Sequence, residues 1–389
     1  MKELSCKSEG RAGGVFDFAL RTRLVAGRGT VQRVGEIVRG VGGKRVLLVT
    51  DQGIAKAGHL DLVRGLLESV GLEVFVYDTV RQNPDTKDVA GCVKVGLQGQ
   101  VDTIVGLGGG SSMDTAKGAN FLMTNGGEMK DYWGVGKAMR EMLPFVAVPT
   151  TSGTGSECQS FALITDPETH QKMACGDIKA MAAVAILDPE LTMSQPFQVT
   201  ACTGIDALAH ALETAVTTRR NAVSLLFSRE AFRLCLRALP VVLNEPQDLE
   251  ARGDMQLGAA YAGLAIENSM LGCAHAAANP LTARYGLVHG RAVGRMLPAV
   301  IRRNAKDPDV ALLYDEHSKF AGLDGIDELL ERVESVLEAA KLNDRLSSFG
   351  LQESDLRALA EEAHRQWTSG FNPVTYKVED FEALYREVL

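Results

Sequence analysis

Hydrophobic and polar positions follow different patterns in the two halves of this chain. In the first half, short apolar runs alternate with segments of helical spacing, which is typical of parallel βαβ units. The pattern predicts strands over residues 45–50, 73–77, 103–107, 145–148 and 184–187, with helices such as 60–70 and 111–123 between them. A sheet of this kind binds ligands at the carboxyl ends of its strands.

After Asp188-Pro189 the strand signal gives way to helical periodicity. Apolar residues recur at intervals of three and four in residues 200–216, 222–239, 249–270, 291–303, 326–340 and 353–368. We therefore predict a Rossmann-like α/β domain with a parallel sheet over residues 1–193. An all-helical domain follows over residues 194–389.

Charge and composition restrict the class of protein. Lys and Arg number 41 against 49 Asp and Glu, and the basic residues are scattered, so the sequence indicates neither a nucleic-acid nor a membrane partner. The polar start MKELSCKSEG lacks the apolar core of a signal peptide, and we expect a cytoplasmic protein. The seven cysteines form no CxxC pair and are interpreted as mostly buried thiols: Cys6, Cys92, Cys158, Cys175, Cys202, Cys235 and Cys273.

A glycine-rich loop follows the predicted strand 103–107. Its glycines let a ligand approach the backbone, and the following helix offers N–H groups at its start, which together suit a dinucleotide pyrophosphate. Ser111 and Asp114 have the spacing of a capping box for that helix. Because the glycines do not fall as GxGxxG, an ordinary glycine-rich turn is the alternative. The candidate cofactor-binding residues are Gly108, Gly109, Gly110, Ser111, Ser112 and Asp114.

Two further candidate cofactor sites follow predicted strands. Asp51 ends the first strand, where a carboxylate accepts hydrogen bonds from ribose hydroxyls and repels the extra phosphate of NADP, so it predicts a preference for NAD. The alternative is that Asp51 only starts a turn. A hydroxyl-rich loop follows strand 145–148 and offers donors to phosphate and carboxamide groups, with a solvated turn as the alternative. Its candidates are Thr150, Thr151, Ser152 and Thr154.

Four candidate metal ligands lie in the helical half. Asp206 and His210 are four residues apart, so they share one helix face among small apolar neighbours. His275 and His289 have similar surroundings. Three imidazoles and a carboxylate suit a borderline divalent ion such as Fe²⁺ or Zn²⁺, although for each histidine alone a hydrogen-bonded core role is the better interpretation. The remaining histidines are interpreted as surface residues: His59, His170, His317 and His364.

Together these segments resemble the iron-containing (group III) alcohol dehydrogenase family over nearly the whole chain. The matching segments are GGGSSMDTAKG, PTTSGTGSE, DPELT, GIDALAHALE and the stretch from His275 to His289. The resemblance implies a dehydroquinate synthase-like architecture and a metal-dependent enzyme that transfers a hydride between NAD(H) and a small alcohol or aldehyde. It implies iron, with zinc as the alternative, at four positions that match the family's ligands and form the catalytic centre: Asp206, His210, His275 and His289.

The resemblance also implies that Lys172 lies near the cofactor, and we expect a homodimer or larger homo-oligomer. Two positions depart from the family pattern, since many relatives carry a histidine in place of Asn279 and a large aromatic residue in place of Ile266. Asparagine hydrogen-bonds a substrate but does not exchange a proton near neutral pH. The alternatives are a glycerol or polyol-type dehydrogenase, a synthase-like lyase of the same superfamily, and a non-catalytic nucleotide-binding relative.

Overall fold

The computed structural model describes residues 15–168 and 171–389. The chain divides into two compact units, one spanning Ala19–Gln195 and the other Pro196–Leu389 together with residues 15–18. Cys6, His170 and the polar start of the chain lie outside the described residues. The other six cysteines are buried, as predicted, and none forms a disulfide within the described residues.

The first unit is built on a six-stranded parallel sheet. The five predicted strands are confirmed, and an edge strand not predicted from the sequence completes the sheet. The strands are β1 (Arg23–Ala26), β2 (Arg45–Val49), β3 (Glu73–Tyr77), β4 (Thr103–Gly108), β6 (Phe145–Pro149) and β9 (Val184–Leu187). They lie side by side in the order β1-β9-β6-β4-β2-β3. A second, small sheet contains β5 (Gly134–Val135), β7 (Phe161–Thr165) and β8 (Lys172–Gly176).

The described part of this unit also contains five α-helices. They are α1 (Val34–Gly40), α2 (Gln52–Lys56), α3 (His59–Ser69), α4 (Thr86–Gly99) and α5 (Gly110–Asn125). The inner strands β4 and β6 are buried along their whole length, which explains their continuous apolar sequence.

Strand order places the candidate nucleotide loops together. The chain passes from β2 outward to β3 and then returns to β4 on the other side of β2, so the sheet has a topological switch point between β2 and β4. Asp51 follows β2, Gly109 follows β4 and Thr150 follows β6, all at the carboxyl ends of parallel strands. This is the place where open parallel sheets bind ligands.

The second unit consists of helices, and the structure describes no strand within residues 196–389. Its α-helices are α6 (Phe197–Val216), α7 (Ala222–Asn244), α8 (Leu249–Glu267), α9 (Cys273–Tyr285), α10 (His289–Asn304), α11 (Pro308–Phe320), α12 (Ile326–Ala339), α13 (Leu356–Arg365) and α14 (Val378–Val388). The predicted helix over 353–368 is wrong as one element, because α13 lies between two short 3-10 turns. No helix among the described residues is long and apolar enough to span a membrane.

Close helix packing brings the candidate metal ligands together. Gly290, in the first turn of α10, lies so near α6 that an added Cβ would collide with the carbonyl oxygen of Cys202. Only glycine allows this approach of two backbones. The contact holds the start of α10, and with it His289, against the helix that carries Asp206 and His210.

His317 corrects the prediction that it lies on the surface. It is buried on α11, on the same face as Val310 and Tyr314, with its ring 4.8 Å from the ring of Phe232. Neither ring nitrogen has a hydrogen-bond partner among the described residues. Burial, aided by the charge of Arg229, lowers the pKa of His317 to about 3. The residues next to His317 in the sequence are polar, but its helical spacing from Val310 and Tyr314 places it on the buried face of α11.

The buried His317 predicts acid sensitivity. The folded chain keeps this ring neutral down to about pH 3, whereas the unfolded chain protonates it near pH 6.5, so the unfolded state binds more protons between those values. The free energy of unfolding should therefore fall as the pH falls through this window. One proton corresponds to roughly 1.4 kcal/mol per pH unit. In urea unfolding of metal-free protein at several pH values, His317→Leu should show a shallower slope than the parent, and equal slopes would contradict the prediction.

Candidate active site

One face of helix α6 carries the polar groups of the candidate metal centre. Asp206, His210 and Glu213 occupy positions i, i+4 and i+7, so they lie along the same side of the helix. All three are buried. Most of the intervening residues are alanine or leucine, so these polar side chains are surrounded by apolar packing and need polar partners.

The structure brings the three predicted histidine ligands to the carboxylate of the fourth, Asp206. Oδ1 of Asp206 lies 3.4 Å from Nε2 of His210, 3.3 Å from Nε2 of His275 and 3.8 Å from Nε2 of His289. The ligand atoms of Asp206, His210 and His275 lie within 4.8 Å of one another. The His210 and His275 rings are stacked with centroids 4.8 Å apart.

The surrounding histidines lower the pKa of the buried Asp206 carboxylate. Burial alone would raise the pKa of Asp206, but the charge of His210, the hydrogen bond with His275 and the charge of His289 together hold it well below its usual value. Burial opposes protonation of His275, yet Glu213 and Asp206 raise the pKa of His275 to about 9. Asp206 therefore remains ionised, and it stabilises the protonated form of His275.

The donor set fits a divalent cation. For tetrahedral ligands at about 2.0–2.1 Å from a metal, neighbouring ligand atoms lie about 3.4 Å apart. The 3.3 and 3.4 Å separations from Asp206 to His275 and His210 match this value closely. His289 lies slightly farther away, and its side chain keeps 28% of its surface exposed, so the donor set is open on that side.

Glu213 is a residue of this site that was not predicted from the sequence. Its Oε2 lies 2.5 Å from Nδ1 of His275, and its Oε1 accepts a hydrogen bond of 2.7 Å from the backbone N–H of Ala274. The available signal was its position in the sequence, since Glu213 continues the i, i+4 spacing of Asp206 and His210 within an apolar helix face.

The glycine loop leads directly into helix α5 without a side-chain cap. The predicted capping box of Ser111 and Asp114 is wrong, because α5 already begins at Gly110 with Gly109 as its N-cap, and no described side chain caps it. Asp114 instead accepts a hydrogen bond of 2.9 Å from Ser156, and burial raises the pKa of Asp114. The helix start therefore offers its backbone to a ligand, while Asp114 holds the neighbouring loop.

The glycine and hydroxyl loops pack against each other. An added Cβ at Gly109 would lie 3.2 Å from the Thr151 side chain, and one at Gly110 would lie 2.8 Å from that of Thr154. Several hydroxyl oxygens around these loops are buried and lack a hydrogen-bond partner among the described residues. They belong to Ser112, Thr150 and Ser152. Such groups suit a ligand that brings its own acceptors.

A buried lysine that was not assigned from the sequence fixes the hydroxyl loop. Nζ of Lys117 donates to the carbonyl oxygens of Ser156, Gln159 and Phe161 at 2.5, 2.7 and 3.0 Å, and to the Ser156 hydroxyl at 2.9 Å. Lys117 lies on α5, so this cation ties the helix that follows the glycine loop to the loop that follows β6.

Asp51 both caps a helix and faces the glycine loop. Its Oδ1 accepts hydrogen bonds from the N–H groups of Gly53 at 2.8 Å and Ile54 at 3.1 Å, so the turn-forming interpretation is correct for this oxygen. Its Oδ2 points toward Gly108, where an added Cβ would lie 3.5 Å away. Lys172 is exposed at the start of β8, with Nζ 3.4 Å from Oδ1 of Asn83.

The two positions that depart from the family pattern lie in the helical unit. Asn279 is one turn after His275 on α9, and its Nδ2 donates to Oε1 of Gln366 at 3.0 Å. Ile266 is buried near the end of α8. Arg284, in the last turn of α9, forms an ion pair with Glu362.

Comparison with protein families gives two matches that together span most of the chain. The model described as "Iron-containing alcohol dehydrogenase" matches residues 21–189. The model described as "Fe-containing alcohol dehydrogenase family, C-terminal" matches residues 200–389.

Individual proteins agree with these matches. "Alcohol dehydrogenase 4" of Schizosaccharomyces pombe is 34% identical, covering 93% of this chain and 86% of its own length. The "NAD-dependent methanol dehydrogenase" of Bacillus methanolicus is 33% identical, covering 96% of this chain and 100% of its own. Among solved structures, a 1,3-propanediol oxidoreductase superposes with a TM-score of 0.90 at 31% identity, covering 97% of this chain and 100% of that one.

Proposed function

This chain belongs to the iron-containing alcohol dehydrogenase family, and on that premise we propose that it transfers a hydride between NAD(H) and a small alcohol or aldehyde. The observation that carries the proposal is the convergence of three imidazole Nε2 atoms on one buried carboxylate oxygen. Family membership makes the protein a metal-dependent alcohol oxidoreductase. The ligand set, the cofactor and the substrate are the proposed parts.

Asp206, His210, His275 and His289 are the proposed metal ligands. A divalent ion held by them would supply a Lewis acid that stabilises negative charge on the substrate oxygen. Family membership favours iron, while the same ligands also suit zinc, which binds such sites more tightly than ferrous iron does. With three neutral histidines and a single carboxylate as ligands, a bound divalent ion would keep a net positive charge, as this chemistry requires.

The chain's own residues orient the substrate and restrict its proton transfers. The partly exposed His289 marks the side from which a substrate oxygen reaches the donor set. Asn279 offers an amide one turn after His275, so it can hold a hydroxyl or carbonyl group without exchanging a proton. We infer that the proton of an alcohol leaves by water or substrate groups instead of through position 279.

The first unit supplies the proposed dinucleotide site. The uncapped start of α5 presents backbone N–H groups and the positive end of the helix dipole to a pyrophosphate. The buried hydroxyls of Ser112, Thr150 and Ser152 are donors within the same pair of loops. Lys172 and the hydroxyls of Thr151 and Thr154 are further candidate contacts.

A substrate screen tests the proposed reaction. The relatives named for methanol and 1,3-propanediol support a small alcohol or diol, and a polyol-type dehydrogenase is the second candidate. We expect nicotinamide reduction with short alcohols, or its reversal with the matching aldehydes, in metal-reconstituted protein. Preference for glycerol would favour the second candidate, and absence of turnover with all alcohols and aldehydes would contradict the proposal.

Cofactor preference provides a sharper test at Asp51. The carboxylate beside Gly108 should repel the additional phosphate of NADP, so the parent should prefer NAD. Asp51→Asn keeps a side chain that caps α2, and Asp51→Gly removes both the charge and the cap. Both variants should lower the NAD to NADP ratio of kcat/KM by about tenfold or more, since about 1.4 kcal/mol corresponds to tenfold. An unchanged ratio in both would remove Asp51 from the cofactor site.

A further inference from the structure

Glu213 is a buried carboxylate beside the candidate metal centre but outside its ligand set. We propose that Glu213 is a positioning residue that fixes the ring of His275, so that Nε2 is directed at the metal. The inference rests on the metal site proposed above. It predicts that metal affinity depends on a side chain that does not touch the ion.

Both carboxylate oxygens of Glu213 are engaged on helix α9. Oε2 contacts Nδ1 of His275 at 2.5 Å, and Oε1 accepts from the N–H of Ala274 at 2.7 Å. An added Cβ at Gly272 would lie 3.1 Å from Oε1, so the chain before α9 also passes close to this oxygen. One side chain of α6 therefore holds the backbone of α9 and the ring that follows it.

These contacts select one tautomer of the His275 imidazole. An ionised carboxylate only accepts hydrogen bonds, so Nδ1 of His275 carries the hydrogen that faces Glu213. Nε2, on the other side of the ring, lies 3.3 Å from Oδ1 of Asp206 and is the nitrogen available to a metal. Histidines that bind metals commonly donate their second N–H to a carboxylate in this way, which fixes the ring orientation and makes the ligand more basic.

Glu213 is distinct from the metal ligands because its oxygens are already committed on the Nδ1 side of the His275 ring. Among the described residues, the group whose atoms converge for a cation contains Asp206, His210 and His275 but not Glu213. Its role is therefore to act through His275. The short 2.5 Å contact and full burial give this link a well-defined geometry.

Asn372 shares the helix-capping part of this role but does not contact the ring of His275. Gly272 provides no side-chain cap to α9, and Oδ1 of Asn372 accepts from the N–H of Cys273 at 3.2 Å. Nδ2 of Asn372 also donates a hydrogen bond of 2.8 Å to Oδ1 of Asn304. Replacing Asn372 thus loosens the same helix end without removing the partner of His275, which makes it a matched control.

The test compares Glu213→Gln with Asn372→Ala. Glutamine has the same shape but presents one amide group, so it cannot accept from both Ala274 and His275 without turning a donor toward one of them. In zinc titrations against a chromophoric chelator, we expect Glu213→Gln to bind Zn²⁺ about 10–100-fold more weakly than the parent. Asn372→Ala should lose thermal stability but bind Zn²⁺ within about threefold of the parent, well below the 10–100-fold effect of removing the histidine's partner.

Nitrogen NMR of the zinc-loaded parent with labelled histidines gives a readout that a purely structural role would not change. We expect the Nδ1 proton of His275 to exchange slowly with water in the parent, where Glu213 accepts it, and to exchange faster in Glu213→Gln. Zinc affinity of Glu213→Gln within twofold of the parent would overturn the proposal. An Nδ1 proton of His275 that exchanges with water in the loaded parent as fast as that of an exposed histidine would overturn it even if the variant failed to fold. A parent that binds no divalent ion would instead contradict the metal site itself.

Discussion

Replacing His275 and His289 together by alanine is expected to reduce alcohol turnover to background. The double variant removes two of the four proposed ligands, and the two that remain, Asp206 and His210, come from a single helix. Metal catalysis supplies several kcal/mol of transition-state stabilisation, and each 1.36 kcal/mol corresponds to tenfold, so the loss should exceed about a thousandfold. The measurement is steady-state nicotinamide absorbance together with the metal content of the purified protein.

His364→Ala is the matched control for this variant. His364 is an exposed histidine of the same helical unit, on α13, with Nδ1 3.2 Å from the carbonyl oxygen of Tyr376. It should retain parental turnover and metal content. Parental turnover in the double variant after exhaustive chelation would show that the reaction does not depend on this donor set.

Gly110→Val is expected to weaken dinucleotide binding by tenfold or more while leaving metal affinity unchanged. Even a Cβ at this position would lie 2.8 Å from Thr154, so a β-branched side chain must displace the hydroxyl loop from the start of α5. The displaced backbone and the added methyl groups both obstruct the approach of a pyrophosphate. Calorimetric titration with NAD and zinc measures the two affinities separately.

Gly65→Val provides the same substitution at a neutral site. Gly65 is an exposed residue of α3 in the same unit, and a Cβ there meets no atom of the described structure within 4 Å. This variant should bind NAD like the parent. If Gly110→Val also binds NAD like the parent, the glycine loop is not the pyrophosphate site.

The parallel sheet could be predicted from sequence because its inner strands are short, apolar and separated by helical segments. Strand β1 could not be predicted in this way because it has four residues, of which only Val25 is fully buried. The small sheet was missed because β5 has two residues, and because β7 and β8 are short and lie outside the alternation of strands and helices that predicted the main sheet. Helix α9 shows no amphipathic pattern because most of its first two turns are buried.

The site was predictable to the extent that its residues share one element. Asp206 and His210 follow from helical spacing alone, whereas His275 and His289 were joined to them by similar apolar surroundings and by the resemblance to a family. Their convergence depends on the close approach at Gly290, a contact between residues 88 positions apart that no local pattern reveals. The capping box failed because glycine at 109 and 110 starts α5 earlier than the Ser111 signal indicates. The pairing of Glu213 with His275 could not be predicted because the two residues lie 62 positions apart in the sequence.

Turnover measured against metal occupancy in one preparation tests the proposed metal-dependent hydride transfer most directly. Protein stripped by a chelator would be titrated with Fe²⁺ without oxygen, and in parallel with Zn²⁺, while metal content and nicotinamide absorbance with an alcohol are followed. We expect turnover to rise in proportion to occupancy and to level off at one ion per chain with at least one of these metals. Undiminished turnover in protein that contains no bound metal would contradict the proposed reaction.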